Sequence, residues 1–457
     1  MALSNKRNIT HIREVIMKGA GIFLMAVSTA VILVNCSSNP TMSEEANPSS
    51  IEILTAEDVQ RENSAVSQAD LEELVDGNIE FAFDMYEQLT EIPDNQGRNL
   101  FFSPYSISVA LAMAYAGAEG ETESQMHDAL RFALQEPGIH QAFNHLEREM
   151  ETAASQQDNV NLSVVNSLWG QYDKEFQLSF LDALARNYGA GMNLVDFENE
   201  PDVSRLRINA WVEDQTNNRI EELLPPGSIS ASTRLVLTNA IYFLADWLYT
   251  FDPELTTDAT FHMDNGESRD VELMSLAKPD ENVKVLSALT DISKAVELPY
   301  VGNRFSMIAV LPREGSFDEY ENSFDREELS NIISSLDSNE IKVKLPRFTF
   351  GTSSVSLKTP LLNMGMQLAF NPSADFSGID GNPSFLYVGD VIHKAFIAVD
   401  EQGTEAAAAT AVIMETTSRG SDPNFIADEP FIYFIRDRQT GAVLFMGRVM
   451  DPTDEGE

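Results

Sequence analysis

The chain has 457 residues, 43% of them hydrophobic, with 72 acidic and 30 basic side chains, which fits one large globular domain or two ordinary ones. Its net charge of −42 and isoelectric point near 4.3 exclude nucleic acid as a partner, because a polyanion is repelled. The single cysteine, Cys36, excludes an intramolecular disulfide and a thiolate zinc site.

Residues 1–35 predict a signal peptide. Lys6, Arg7, Arg13 and Lys18 form a basic start, and Gly19 to Val34 is apolar apart from Ser28 and Thr29. That run is short for a membrane span. It ends Leu33-Val34-Asn35-Cys36 and turns polar at Ser37-Ser38-Asn39-Pro40, the pattern of a bacterial lipoprotein whose cysteine is lipidated. Asn35 departs from that pattern, since Gly, Ala or Ser is usual before the cysteine. Cys36 is the expected lipidation site and the expected sole link to a membrane; the alternative is an uncleaved signal anchor with an incidental cysteine. The protein is thus expected to be exported and lipid-anchored, in the periplasm or at the cell surface, or else secreted. Residues 36–70 then form a tether, rich in Ser, Asn, Glu and Pro with little apolar periodicity.

The pattern becomes globular at Leu71, so the folded domain is expected over 71–457. Asp70 is placed to cap a helix reading Leu71, Leu74, Val75, Ile79, Phe83, Tyr86 and Leu89 at helical spacing. Ser106 to Tyr115 predicts a small helix buried all round. Thr122 is expected to cap the next, with Met126, Ala129 and Leu130 inward, and Leu178 to Tyr188 reads as another. Strand runs follow at Leu162–Trp169, Leu235–Phe243, Phe305–Leu311, Ile341–Leu345, Phe396–Val399, Phe431–Ile435 and Ala442–Gly447. Helices dominate the first half and strands the second, which argues α+β rather than a regularly alternating parallel sheet. Arg436 and Arg438 read as solvated charges at a strand end.

Chemistry for catalysis is missing. The six histidines include His140 and His145, five apart and so not on one helix face, and no His-Glu-x-x-His pair occurs. No Gly-x-Ser-x-Gly elbow or phosphate loop is present. The expectation is no enzyme, no cofactor and no metal.

The unusual segment is Glu401 to Met414. An alanine run favours a helix, but strand parity explains more. Thr404, Ala406, Ala408, Thr410, Val412 and Met414 share one face and are small or apolar, while Glu405 and Glu415 fall on the other. No proline interrupts the stretch, and Gly403 supplies a hinge before it. A loop that can also become a central strand is a metastable device.

At these residues the chain resembles the serpins, the serine-protease-inhibitor family. Glu401, Gly403, Thr404, Glu405, Ala406, Ala407, Ala408 and Ala409 match that family's inhibitory hinge. Phe102-Ser103-Pro104, Asn166-Ser167-Leu168-Trp169, Thr238-Asn239-Ala240-Ile241-Tyr242-Phe243 with Trp247 and Phe251, His393-Lys394-Ala395, Asp375-Phe376-Ser377-Gly378 and the end from Pro430 to Val449 extend the likeness over roughly Leu71 to Pro452.

The resemblance implies helices around a large central sheet, further sheets, and an exposed reactive loop at about 401–425. It implies a single-use trap for a serine protease, with cysteine proteases as a further target class. The protease cleaves the loop and is held in a covalent 1:1 complex while the freed loop enters the sheet. The bait bond is open between two counts. Spacing from Glu401 gives Thr417-Ser418, favoured because translocation depends on hinge-side length; counting back from Pro430 gives Arg419-Gly420. Thr417 suits a pocket of elastase or subtilisin type, Arg419 one of trypsin type. By resemblance Ser103, Ser106, Asn239, His393 and Trp247 lie where the sheet opens, and protonation of His393 near pH 6 is expected to loosen it. No Lys/Arg run offers a heparin site, and a monomer is expected. The alternatives are a non-inhibitory serpin serving as a carrier or chaperone-like protein, and a surface adhesin or sensor. A hinge free of proline and of bulky charge over Thr404 to Ala409 favours the inhibitor.

Overall fold

Long apolar runs without alternation build the core strands, because strands covered on both faces need no polar side. The computed structural model describes residues 52–56, 59–278, 281–383, 386–404 and 424–456, all within the unit Ile51–Glu457. The helices are α1 (Gln68–Thr90), α2 (Pro104–Tyr115), α3 (Gly120–Ala129), α4 (Gly138–Ser155), α5 (Leu178–Tyr188), α6 (Pro201–Gln215), α7 (Phe317–Glu321), α8 (Arg326–Ser335), α9 (Lys358–Asn363) and α10 (Ser377–Asp380). The strands run from β1 (Glu52–Leu54), β2 (Leu100–Phe102), β3 (Val160–Gln171), β4 (Met192–Val195) and β5 (Leu235–Asp246) through β6 (Thr257–His262), β7 (Ser268–Ser275), β8 (Val283–Leu289), β9 (Ser293–Pro299) and β10 (Phe305–Pro312). They continue with β11 (Asp337–Ile341), β12 (Val343–Pro346), β13 (Phe348–Gly351), β14 (Val355–Ser356), β15 (Val391–Val399), β16 (Gly403–Thr404), β17 (Phe425–Ile426), β18 (Phe431–Asp437) and β19 (Val443–Val449).

Among the described residues the strands form three sheets. The central one has the order β1-β4-β3-β5-β16-β15-β13, with β14 added on β15. A second runs β11-β8-β9-β10-β18-β19-β2, and a third β17-β12-β7-β6. Helix α2 lies between the first two, packing on β3, β5 and β19. All twelve of its residues are buried, and Ser106, Ser108, Ala110, Ala112 and Ala114 keep it thin enough to fit there. The expected α+β class and the helix buried all round both hold.

Several local expectations are corrected. Helix α1 starts a turn earlier than Asp70 suggests, because Ser67 is the cap and its Oγ accepts the Asp70 N–H. Asp70 instead sits in the first turn, where its charge suits the helix dipole. Thr122 lies inside α3, and its buried hydroxyl accepts the Asp375 N–H rather than capping. The tether does not reach residue 70: Glu52–Leu54 pairs with β4 as the edge strand of the central sheet. Arg436 and Arg438 are not solvated charges. Both reach Glu297, which is 1% exposed and also accepts from Ser306. Burial alone raises the Glu297 carboxyl, but the Arg436 charge and these bonds outweigh it and hold it below its ordinary value.

Candidate functional site

Strands β5 and β15 run parallel and pair directly from Leu237↔Val391 to Ile241↔Ala395. Above that point they part, and β16 occupies the gap: Thr404 pairs with Val399 on one side and Ala245 on the other. The central sheet is thus a closed seam with its upper end already entered by the chain that follows β15.

The reversal from β15 into β16 is set by Asp400. Its Oδ1 accepts the Gln402 and Gly403 N–H groups at 2.8 and 3.2 Å, and its own N–H donates to Gly403 O at 3.0 Å. Glycine is required at 403, since a Cβ there would fall 2.1 Å from Ala245 O. Glu401 is fully buried, yet its carboxylate is satisfied. Arg347 donates to both its oxygens at 2.7 Å, and Thr256 adds a third bond. Burial pulls the Glu401 carboxyl up, and the Thr256 and Arg347 bonds overcome that and hold it low. Arg347 also reaches Glu272 at 2.6 Å, so one guanidinium ties the turn to β7.

Thr404 faces inward, as strand parity predicts, at 2% exposure. Its Oγ1 is 2.7 Å from Tyr300 Oη. Tyr300 stacks on Trp247 with ring centres 4.5 Å apart. Trp247 in turn donates from Nε1 to Asp400 O at 2.9 Å and from its backbone to Gln402 O at 2.7 Å, while the Phe251 N–H holds Glu401 O.

Lower in the seam a second polar group forms. His393 and Asn239 face each other in register, and His393 Nδ1 lies 2.5 Å from Asn239 Oδ1. The imidazole Nε2 accepts the Ser103 N–H at 3.3 Å. Asn239 Nδ2 donates to Ser106 Oγ and Asn166 Oδ1, each at 2.6 Å. Only the neutral Nδ1–H tautomer satisfies both His393 contacts, because a proton on Nε2 would face another donor. Burial holds the His393 pKa down to about 3, so the expected protonation near pH 6 is corrected: a ring 2% exposed has too little access to solvent to stabilise a cation.

The structure therefore gathers Ser103, Ser106, Asn239 and His393, with Ser106 linked to His393 through Asn239 on one side and through Ser103, whose Oγ accepts the Ser106 N–H, on the other. Trp247 stands apart, eight residues beyond Asn239 in the chain, beside the hinge. Glu405, Ala406, Ala407, Ala408, Ala409, Thr417, Ser418, Arg419, Gly420 and Cys36 lie outside the described residues. Four partners escaped the sequence reading of the site: Asn166, Thr256, Tyr300 and Arg347. Asn166 alone carried a signal, as an amide in an apolar strand.

The family profile described as Serpin (serine protease inhibitor) matches residues 76–452. The chain belongs to the serpin family. This serpin is 37% identical over 391 residues to the leukocyte elastase inhibitor of Bos taurus, covering 84% of this chain and 100% of that protein. It is equally identical over 391 residues to an uncharacterized serpin-like protein of Methanosarcina acetivorans, at 84% and 87% coverage. Among solved structures, uncleaved ovalbumin superposes with a TM-score of 0.72 at 27% identity, covering 83% of this chain and 100% of that one. Serpin48 of Tenebrio molitor gives 0.72 at 29%, with 83% and 98% covered. The serpin fold of helices and large mixed sheets is the one described above, and protease inhibition is the activity the family name carries.

Proposed function

We propose that this serpin inhibits serine endopeptidases, with cysteine endopeptidases as a further target class, as a suicide substrate. The observation that carries the reading is the placement of Gly403 and Thr404 between β5 and β15, above a seam those strands close directly. If the register of Thr404 were continued, alternate residues of the following sequence would face the core, and those residues are small or apolar.

The protease serine attacks the carbonyl of the bait residue, forming an ester to it and releasing a new N-terminus on the next residue. With Thr417 as bait, the released peptide starts at Ser418; with Arg419, it starts at Gly420. The freed loop then continues strand β16 downward between β5 and β15. A dozen residues at about 3.3 Å each carry the attached protease roughly 40 Å. The ladder bonds gained on both sides drive the step, and the distorted protease cannot complete hydrolysis. The product is a covalent 1:1 complex with a monomeric inhibitor. Lipidation at Cys36 of the exported chain places this trap at the cell envelope.

The test mixes the chain from Ser37 to Glu457 with an elastase-type, a subtilisin-type and a trypsin-type protease. An adduct that survives SDS establishes trapping, and the mass of the released C-terminal peptide assigns the bait bond. Cleavage by all three without an adduct overturns the inhibitory reading and favours a non-inhibitory carrier or chaperone-like serpin.

A further inference from the structure

The stretch before α1 is built into the fold at several points. Strand β1 adds to the sheet edge with Glu52↔Leu194, Ile53↔Asn193 and Leu54↔Met192 in register. Seven residues on, Arg61 enters a socket between α4 and α5. Its Nε donates to Asn144 Oδ1 at 2.8 Å, and one terminal nitrogen reaches Glu147 Oε2 at 2.5 Å. The side chain crosses Gly189, where an added Cβ would sit 3.3 Å from Arg61 Cδ. Glu62 follows: its N–H donates to Arg186 O at 2.8 Å, its carbonyl accepts from Asn144 Nδ2 at 2.8 Å, and its carboxylate pairs with Arg186.

The socket is made for a cation. Glu147 is 9% exposed, and burial pushes its carboxyl up to about 7 against the pull of Arg61. An acid so placed, left without Arg61, would lose the pull that keeps it ionised and would take up a proton rather than stand as a buried unpaired charge, so the socket's charge exists for the arginine. Thus the socket and the arginine are complementary in charge, shape and hydrogen bonding.

The two ends of this stretch belong to parts that shift against each other when the seam opens. β1 is joined by continuous ladders through β4 and β3 to β5, one side of the seam. Ser67, at the other end, caps α1, which packs on α2 and α4 as well as on β19 of the second sheet, α8 and α9. Admitting a strand between β5 and β15 widens the sheet by about 4.8 Å. The block from β1 to β5 then shifts relative to α1, and the seated segment bridges that shift.

We propose that residues 52–56 and 59–66 form a strap which, by seating Arg61 between α4 and α5 and β1 on β4, holds the seam shut and sets the rate at which the loop enters the sheet. The strap's role rests on the loop-insertion reading above. A staple tests it without loss of folding. In the full chain carrying Cys36→Ser, Ile53→Cys with Asn193→Cys joins the strap to β4 through a disulfide. The readout is the rate at which intact protein converts, on warming, to a heat-resistant form that has lost its original thermal transition. The oxidised staple is expected to slow conversion about tenfold relative to the same protein reduced, a barrier change of ~1.4 kcal/mol. The variant Arg61→Ala with Glu147→Gln, which removes the key without stranding an acid, is expected to convert about tenfold faster than the reference. Equal rates in all of these overturn the strap. Failure of every form to gain heat resistance even after its loop is cut overturns the insertion reading itself, and the strap's role with it.

Discussion

His393 and Asn239 are paired in register across the seam, and a single bond from imidazole Nδ1 to amide Oδ1 joins them. Because burial lowers the His393 pKa from 6.5 to about 3, the unfolded chain binds this proton over a range where the folded one does not. The stability this group contributes is therefore complete above about pH 6.5 and is lost as pH falls towards 3. The loss is about 1.4 kcal/mol per pH unit within that window. Urea midpoints compared between wild type and His393→Gln from about pH 7 down to about pH 4 isolate it from the carboxylates, which titrate in both. The wild type is expected to lose stability more steeply; parallel slopes would show that the ring is solvated.

The Glu401 carboxylate is fully buried and depends on Arg347. Arg347→Ala leaves Thr256 as its one side-chain donor among the described residues, so the variant is expected to lose about 3–5 kcal/mol. Replacing both members, Arg347→Met with Glu401→Gln, is expected to cost much less, because no charge is stranded. Equilibrium urea unfolding of the two variants checks the difference. Equal losses would mean that the pair's hydrogen bonds, rather than the buried charge, carry the effect.

Gly403 has no room for a Cβ beside Ala245 O. Gly403→Ala is therefore expected to expel β16 from the sheet. The amides of Trp247 and Phe251, which donate to Gln402 O and Glu401 O, then lose their acceptors. Hydrogen exchange over 247–251 is expected to quicken at least about tenfold, with exchange over Leu237–Ile241 unchanged. Unaltered protection at 247–251 would mean that the turn at Asp400 holds without β16.

What the sequence revealed follows from how local each signal is. Strands β5 and β10 were legible because they are apolar on both faces, and α2 because twelve small or apolar residues leave no polar side. β1 was not, since Glu52-Ile53-Leu54 is too short to show a period and owes its form to β4. Arg436 and Arg438 read as solvated because their partner, Glu297, lies 139 and 141 residues away. Ser103, Ser106, Asn239 and His393 were assembled by family resemblance rather than by pattern. The same distance hid Arg347 and Tyr300: nothing near either names the residue it meets.

Thr404 and Tyr300 join the hinge to the core, and the test of insertion starts there. The side chain that leads into the seam is buried beside a stacked Tyr300–Trp247 pair. A guanidinium at that place would be buried without a partner, a cost of several kcal/mol against keeping residue 404 in the sheet, from which the rest of the loop must continue. Thr404→Arg is therefore expected to be cleaved at the bait bond yet to release the protease, turning an inhibitor into a substrate. The milder Thr404→Val keeps the shape but strands the Tyr300 hydroxyl, for about 1–3 kcal/mol. It is expected to retain trapping with a lower yield of complex. Gels that separate adduct from cleaved inhibitor, run over a range of inhibitor-to-protease ratios, give the partition directly. Undiminished adduct from Thr404→Arg would refute the need for residue 404 to stay buried between β5 and β15 while the loop behind it inserts.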